Sequence, residues 1–375
     1  MVLSSPETPA TLLAPTPALA ADRLVAAVTE VAERVLAPGA ERTARDGVDR
    51  DRLAALAAVG AFDLEGYRPT GADGVTARQV RREIDEVLAA ADGATWFVWA
   101  QHHPAIRALD RSDNTGLRQR WLPALRSGAA VAAFGGASPR NASPALTAVP
   151  TATGWRLDGA LPWVTGWGTA DVLLVTAVTA EDQVVAALLP RSDRIGQVSA
   201  QRLWCMDATG TVSVRVTGLE VAAADVVGVL DCRLWRLQDR YRRANCVPAV
   251  FGTLRAAVRE LGRQAQRAGA EYGELATALA TEAADLRARV YQLLDEAAPG
   301  DRLAERVELR AAAIGLAVQA ATAVTAATGA RAMAQGGVAA RLSQEAMFHL
   351  VFAQPAAVRT ATAGRLLRGL ADPLS

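Results

Sequence analysis

The sequence predicts an α+β chain of three consecutive parts: an N-terminal α-helical domain, a middle antiparallel β-barrel or sandwich, and a C-terminal four-helix bundle. Three observations carry that expectation. Apolar residues recur at three- and four-residue spacing over 21–128, the period of a helix face. Short Val- and Leu-rich runs separated by turn signals then fill 129–232, as an antiparallel barrel or sandwich requires. Long amphipathic patterns return over 233–375 and read as four successive helices.

In chain order, residues 1–20 are proline-rich and without a period, and are expected to be a disordered tail. A secretory signal is not expected there, because a basic n-region is missing and prolines break the apolar part. Leu24, Val25, Val28, Val31 and Val35 mark the first helix, Leu53, Leu56 and Val59 another, and Val80, Ile84, Val87 and Leu88 a third. A last helix with Leu117, Trp121 and Leu125 on its apolar face closes at Gly128. The strands are AVAAFGGA (Ala130 to Ala137), GWRLDGALPWVTG, DVLLVTAV, QVVAALLP and TVSVRVTGLEV, with turn signals such as Asp158-Gly159 between them. Bundle helices are expected at Leu237–Arg267, Leu275–Ala298, Arg302 to about Thr328, and Ala340–Leu370.

Composition narrows the function classes. A formal charge of +1 offers no field for nucleic acid or an anionic membrane, and no uninterrupted apolar run reaches the ~18 residues of a membrane span. All 40 basic residues are arginine, so Schiff-base and P-loop lysine chemistry are excluded. Cys205, Cys232 and Cys246 have no metal-ligand spacing and read as small core residues in a reducing, cytoplasmic setting. No metal site is expected.

DGALPWVTGWGTADVLLV, from Asp158 to Val175, places Trp163 and Trp167 around Thr165 beside Gly166 and Gly168. Two indoles at that spacing describe a flat surface for a planar ligand. Three other stretches stand out: GLRQRWLPALRSGAAVAAFG, WCMDATGTVSVRVTGLEVAAADVVG, and RLSQEAMFHLVFAQPAAVRTATAGRLL. Together and in this order, the four stretches resemble the motifs of the acyl-CoA dehydrogenase superfamily over most of the chain.

The resemblance implies FAD as cofactor, with Trp163 against the isoalloxazine and the Thr165 hydroxyl near its reactive edge. It further implies flavin contacts from Phe134, Gly136 and Ser138 in FGGASPRN, and from Gly336 and Gly337 in MAQGGVAARLS. Trp99 and His103, with neighbouring Trp96, Phe97 and His102, would border the substrate pocket. Substrate would be an acyl thioester on CoA or a carrier protein, or a related small acid, and the assembly a homodimer, a homotetramer or a heteromer with a homologue.

Two departures matter for chemistry. The gapless match of the last helix puts Ala353 where the superfamily carries its catalytic glutamate, and a methyl group accepts no proton. The alternative base position, before Arg243, holds Arg242. His349, one helical turn before Ala353, is the replacement base that the sequence offers. Glu345 reads as a structural charge partner and Asp207 as a solvated loop acid. The cofactor grip is also reduced: the stretch between Gly337 and Arg341 is about seven residues short of the superfamily pattern, and RAGAEYG misspaces Arg267 and Gly273. The expected function is a flavin-dependent oxidoreductase with a non-standard base. The alternatives are a non-catalytic or half-site partner subunit, and a flavin-dependent monooxygenase or non-redox enzyme of the same fold.

Overall fold

The computed structural model describes residues 9–69 and 74–371. Its first part is helical: α1 (Pro9–Leu12), α2 (Pro17–Ala20), α3 (Arg23–Val31), α4 (Ala40–Asp46), α5 (Arg50–Ala58), α6 (Ala77–Ala91), α7 (Gly93–Asp110) and α8 (Thr115–Ser127). The expected disordered tail is corrected for residues 9–20, while its first eight residues lie outside the described ones. Leu13 is fully buried in the bundle core and Thr16 caps α2, so this segment is held by packing rather than by an apolar period. At the end of α3 the helix widens into a π-turn over Ala32–Leu36. The extra residue rotates the stripe, so Leu36 is buried and Val35 faces solvent.

Asp92 explains why α6 stops and α7 starts. Its carboxylate accepts from the backbone of Ala94 and Thr95, an N-cap for α7, and pairs with Arg52 at 3.2 Å in the interior.

The second part is an eight-stranded sheet: β1 (Ala132–Gly135), β2 (Leu146–Pro150), β3 (Gly154–Val164), β4 (Val172–Val178), β5 (Gln183–Pro190), β6 (Gln197–Ala200), β7 (Val212–Ala222) and β8 (Val226–Asp231). Its order is β6-β7-β3-β2-β4-β5-β8. The expectation of a purely antiparallel domain is corrected along one edge of β4, where β1 and β2 pair with it in parallel. The remaining ladders are antiparallel. All of β4 is buried, because α7 and α8 cover the sheet near β1.

The third part comprises α9 (Cys232–Ala244), α10 (Ala249–Ala268), α11 (Ala270–Glu296), α12 (Leu303–Thr328), α13 (Val338–His349) and α14 (Ala356–Ala371). Two of the four expected helices are therefore broken. Pro248 and Pro355 lack the N–H that a continuing helix needs, and each break falls just before its proline. The second break matters for function, since it takes Ala353 out of any helix and sets its φ to +47°. His349 and Ala353 do not share a helix face. The apolar α12 is long enough to cross a membrane by length and composition, and it packs here against α10, α11, α13 and α14.

Candidate functional site

A cavity of about 540 Å³ opens where the three parts meet. From α7 come Phe97 and Gln101, from the β1 region Phe134, Gly136, Ala137 and Arg140, and from the end of β3 Trp163 and Thr165. The Leu203–Met206 segment and Thr211 close one side; Phe348, Val351, Phe352 and Ala353 close the other. The volume lies in the usual range for small-molecule and cofactor sites.

The walls are aromatic. Phe348 and Phe352 stack at 5.0 Å, and Phe97 meets both edge-on at 4.7 and 5.0 Å. Trp163 and Trp204 leave their indoles 54% and 69% exposed, so a flat ligand finds open ring faces at the rim. The Phe134 ring lies across the Gly136 Cα, in the space a Cβ would fill.

Hydroxyl hydrogens fix the polarity of Thr165. The Thr209 hydroxyl donates to the Met206 carbonyl at 2.7 Å, so its oxygen accepts from Thr211 at 2.9 Å. Thr211 in turn accepts from Thr165 at 3.0 Å. Each hydroxyl has one proton, so Thr165 offers the cavity a lone pair.

The floor is the turn between α13 and α14. The Ala353 carbonyl accepts from Arg243 Nε at 3.0 Å and the Phe352 carbonyl from Arg310 at 2.8 Å. Gln354 donates to the His349 carbonyl at 3.1 Å, and Arg359 donates to the Gln354 carbonyl at 2.9 Å. Arg310 is buried without a carboxylate partner among the described residues, and burial pulls it down to about 10.

Several expected site residues lie elsewhere. His349 is buried behind the wall, 3.0 Å from the Thr253 hydroxyl, and burial with the nearby Arg310 charge lowers it to about 3. It does not line the cavity, so the assignment as catalytic base is withdrawn. Trp99 and His103 are also withdrawn from the substrate pocket. Trp99 donates to the Ala61 carbonyl inside the helical domain, and His103 packs edge-on against it at 4.5 Å. On α7 it is Phe97 and Gln101 that face the cavity. Ser138 is withdrawn as a flavin contact: its hydroxyl is used twice by the backbone of Leu146.

Glu345 accepts from Gly93 N–H at 3.1 Å and from Arg341 at 2.9 Å, buried, in the role of a charge partner. Gly336 borders a second, polar cavity of about 430 Å³, whereas Gly337 is the residue before α13. Asp207, exposed, accepts from Leu203 N–H and also borders this second cavity. Leu203, Trp204 and Met206 form a wall common to both cavities. Sequence reasoning missed Arg140, Trp204, Phe348 and Phe352. The pair Phe348 and Phe352 sits four residues apart and was the available signal.

Both ring nitrogens of His103 lack a partner in the buried interior, and burial keeps the ring neutral. His103→Phe is expected to stabilise the fold by roughly 1–2 kcal/mol in urea unfolding, since shape is kept and an unmet polar group is removed. A loss of stability would show that the ring is bonded in solution.

No protein-family model matches the chain. Butyryl-CoA dehydrogenase from Megasphaera elsdenii superimposes with a TM-score of 0.76 and 17% identity, covering 95% of this chain and 99% of that one. The chain has the acyl-CoA dehydrogenase fold. The FMN-bound dibenzothiophene monooxygenase from Paenibacillus sp. A11-2 shares it too, with a TM-score of 0.71 and 20% identity over 92% of this chain and 97% of that one. In sequence, mitochondrial very long-chain specific acyl-CoA dehydrogenase from Rattus norvegicus is 26% identical over 224 residues, 55% of this chain and 34% of the relative. The chain thus spans about a third of the length of the curated relatives it matches. In this setting of the acyl-CoA dehydrogenase fold, Trp163, Thr165, Phe134, Gly136 and Ala353 all border one cavity.

Proposed function

We propose that the chain is a flavin-dependent oxidoreductase that binds the flavin ring system in the aromatic cavity and oxidises a small molecule with an apolar body beside it without a protein base. One observation carries this reading: the described residues that line the cavity include no Asp, Glu or His. Its titratable members are Arg140, paired with Asp239, and Cys205, whose thiol burial pushes up and keeps protonated. Removal of a proton α to a thioester carbonyl has no acceptor in such a site.

The cavity fits a flavin in size, in the open Trp163 face and in the acceptor presented by Thr165. A bound flavin would supply the electron-accepting or oxygen-activating chemistry that no side chain here provides. The chain's own residues then orient and shield: Phe97, Phe348 and Phe352 exclude water, and the pinned turn at Ala353 fixes the floor.

Saturation with FMN or FAD at about one per chain, read from the visible flavin absorbance, is the expected result. Trp163→Ala is expected to weaken that binding roughly tenfold. A protein that stays colourless with either cofactor would overturn the reading. It would favour a second one, a non-catalytic subunit that pairs with a homologue, for which the missing carboxylate also speaks.

A further inference from the structure

Arg140, which lines the cavity, belongs to a cluster that carries more cations than it can neutralise, with Arg242 and Arg243 joined to it through Asp239 just outside the lining. The Asp239 carboxylate, 95% buried by its side-chain exposure of 5%, is shared by three guanidinium groups. Arg140 grips it with two bonds of 2.9 Å, Nε to one oxygen and a terminal nitrogen to the other. Arg242 reaches it at 3.3 Å and Arg243 at 3.4 Å. None of the three has another acidic partner among the described residues, so one negative charge faces three positive ones.

Donors are left over. The second terminal nitrogen of Arg140, two of the three nitrogens of Arg242 and one of Arg243 make no bond to the described residues. The Arg242 side chain is 62% exposed, so its free donors are open to solvent and to a ligand. The charges of Arg359 and Arg111 lie close by. Behind this rim lie the aromatic walls.

We propose that the cavity selects a ligand with an apolar, aromatic-sized body and one anionic group, the anion held at the rim by the unused donors of Arg140 and Arg242. A guanidinium presents paired donors that match a carboxylate or a phosphate oxygen edge, whereas a neutral amide offers one uncharged oxygen and forms the weaker bond. This assignment rests on the cavity being the substrate site proposed above and names the substrate class that it takes.

The probes are 2-naphthoate, 2-naphthyl phosphate and the neutral 2-naphthamide, titrated calorimetrically into the purified full chain without added flavin. Naphthoate is expected to bind roughly tenfold more tightly than naphthamide, with the gap narrowing as salt is raised. Arg140→Gln should bring naphthoate down to the amide's affinity, removing the ratio between the two probes. Arg242→Gln, at a 62% exposed side chain, should remove most of the preference, and Arg242→Lys should keep part of it. Tighter binding of the phosphate than of the carboxylate would assign the anion to a phosphorylated ligand; the reverse would assign a free acid. Equal affinities for naphthoate and naphthamide, or a preference untouched by both glutamine variants, would overturn the proposal. Flavin uptake is scored separately by absorbance, so its absence would sink the oxidoreductase reading while the anion preference is judged alone.

Discussion

Stability is expected to fall steeply as the pH drops below about 6.5, the ordinary histidine value, because the folded chain keeps its histidines neutral. Burial lowers His349 to about 3 and His102 to about 4. His102 is bonded at both ring nitrogens, to the Leu125 carbonyl and the Ala132 N–H, and has no room for a second proton. The unfolded chain takes up protons first, so stability present above the unfolded value is lost as pH falls toward the folded ones. The shifts correspond to about 5 kcal/mol for His349 and about 3 kcal/mol for His102 once those values are reached. His103 acts in the same direction. Asp85, Glu86 and Glu345 oppose it in part, since burial raises them and the folded state protonates them first. Urea unfolding at pH 8, 6, 5 and 4 measures the slope. His349→Gln, which can still bond Thr253, should flatten it; equal slopes for both proteins would show that His349 charges in the folded state.

The second large effect is expected at the seam between the helical domain and the bundle. Glu83 and Glu86 on α6 have no solvent exposure. Arg255 on α10 pairs with both at 2.8 Å, and Arg287 on α11 closes the square at 2.9 and 2.7 Å. The backbones approach so closely that a Cβ on Gly252 would meet the Glu86 carbonyl at 2.4 Å. Arg255→Met leaves two buried carboxylates facing one guanidinium and should cost about 3–5 kcal/mol in urea unfolding. Adding Glu83→Gln should recover part of that. A loss under about 1 kcal/mol would show that water reaches the seam. Because α6 leads through Asp92 into α7, the same seam sets where Phe97 and Gln101 stand in the cavity.

The order of helical, strand and helical blocks was legible because each block keeps its own apolar period. Helix breaks were harder. At Pro248 and Pro355 the apolar pattern runs on through the proline, and a long helix is the natural reading of Leu237–Arg267. The cavity was partly legible: Trp163, Thr165, Phe134, Gly136 and Ala353 could be named in advance because they sit in recognisable local stretches. His349, His103 and Trp99 could not be placed, because both helices that carry them are buried on more than one side. No period tells which buried side faces a void. Arg140 and Trp204 belong to loops, and only folding brings them beside residues far away in sequence.

The pinned turn under the cavity bears on how the site tells ligands apart. Four carbonyls between His349 and Gln354 are tied outward by four separate side chains, two of them reaching in from α9 and α12. Such a floor cannot follow the outline of whatever arrives. The ordering was completed when the chain folded, so a well-matched guest incurs little entropic cost on entry. A slightly larger one meets a wall rather than a cushion. If the cavity takes the ligand proposed above, discrimination among homologous guests is expected as an abrupt size threshold, with little of the gradual tolerance of a site that reshapes itself.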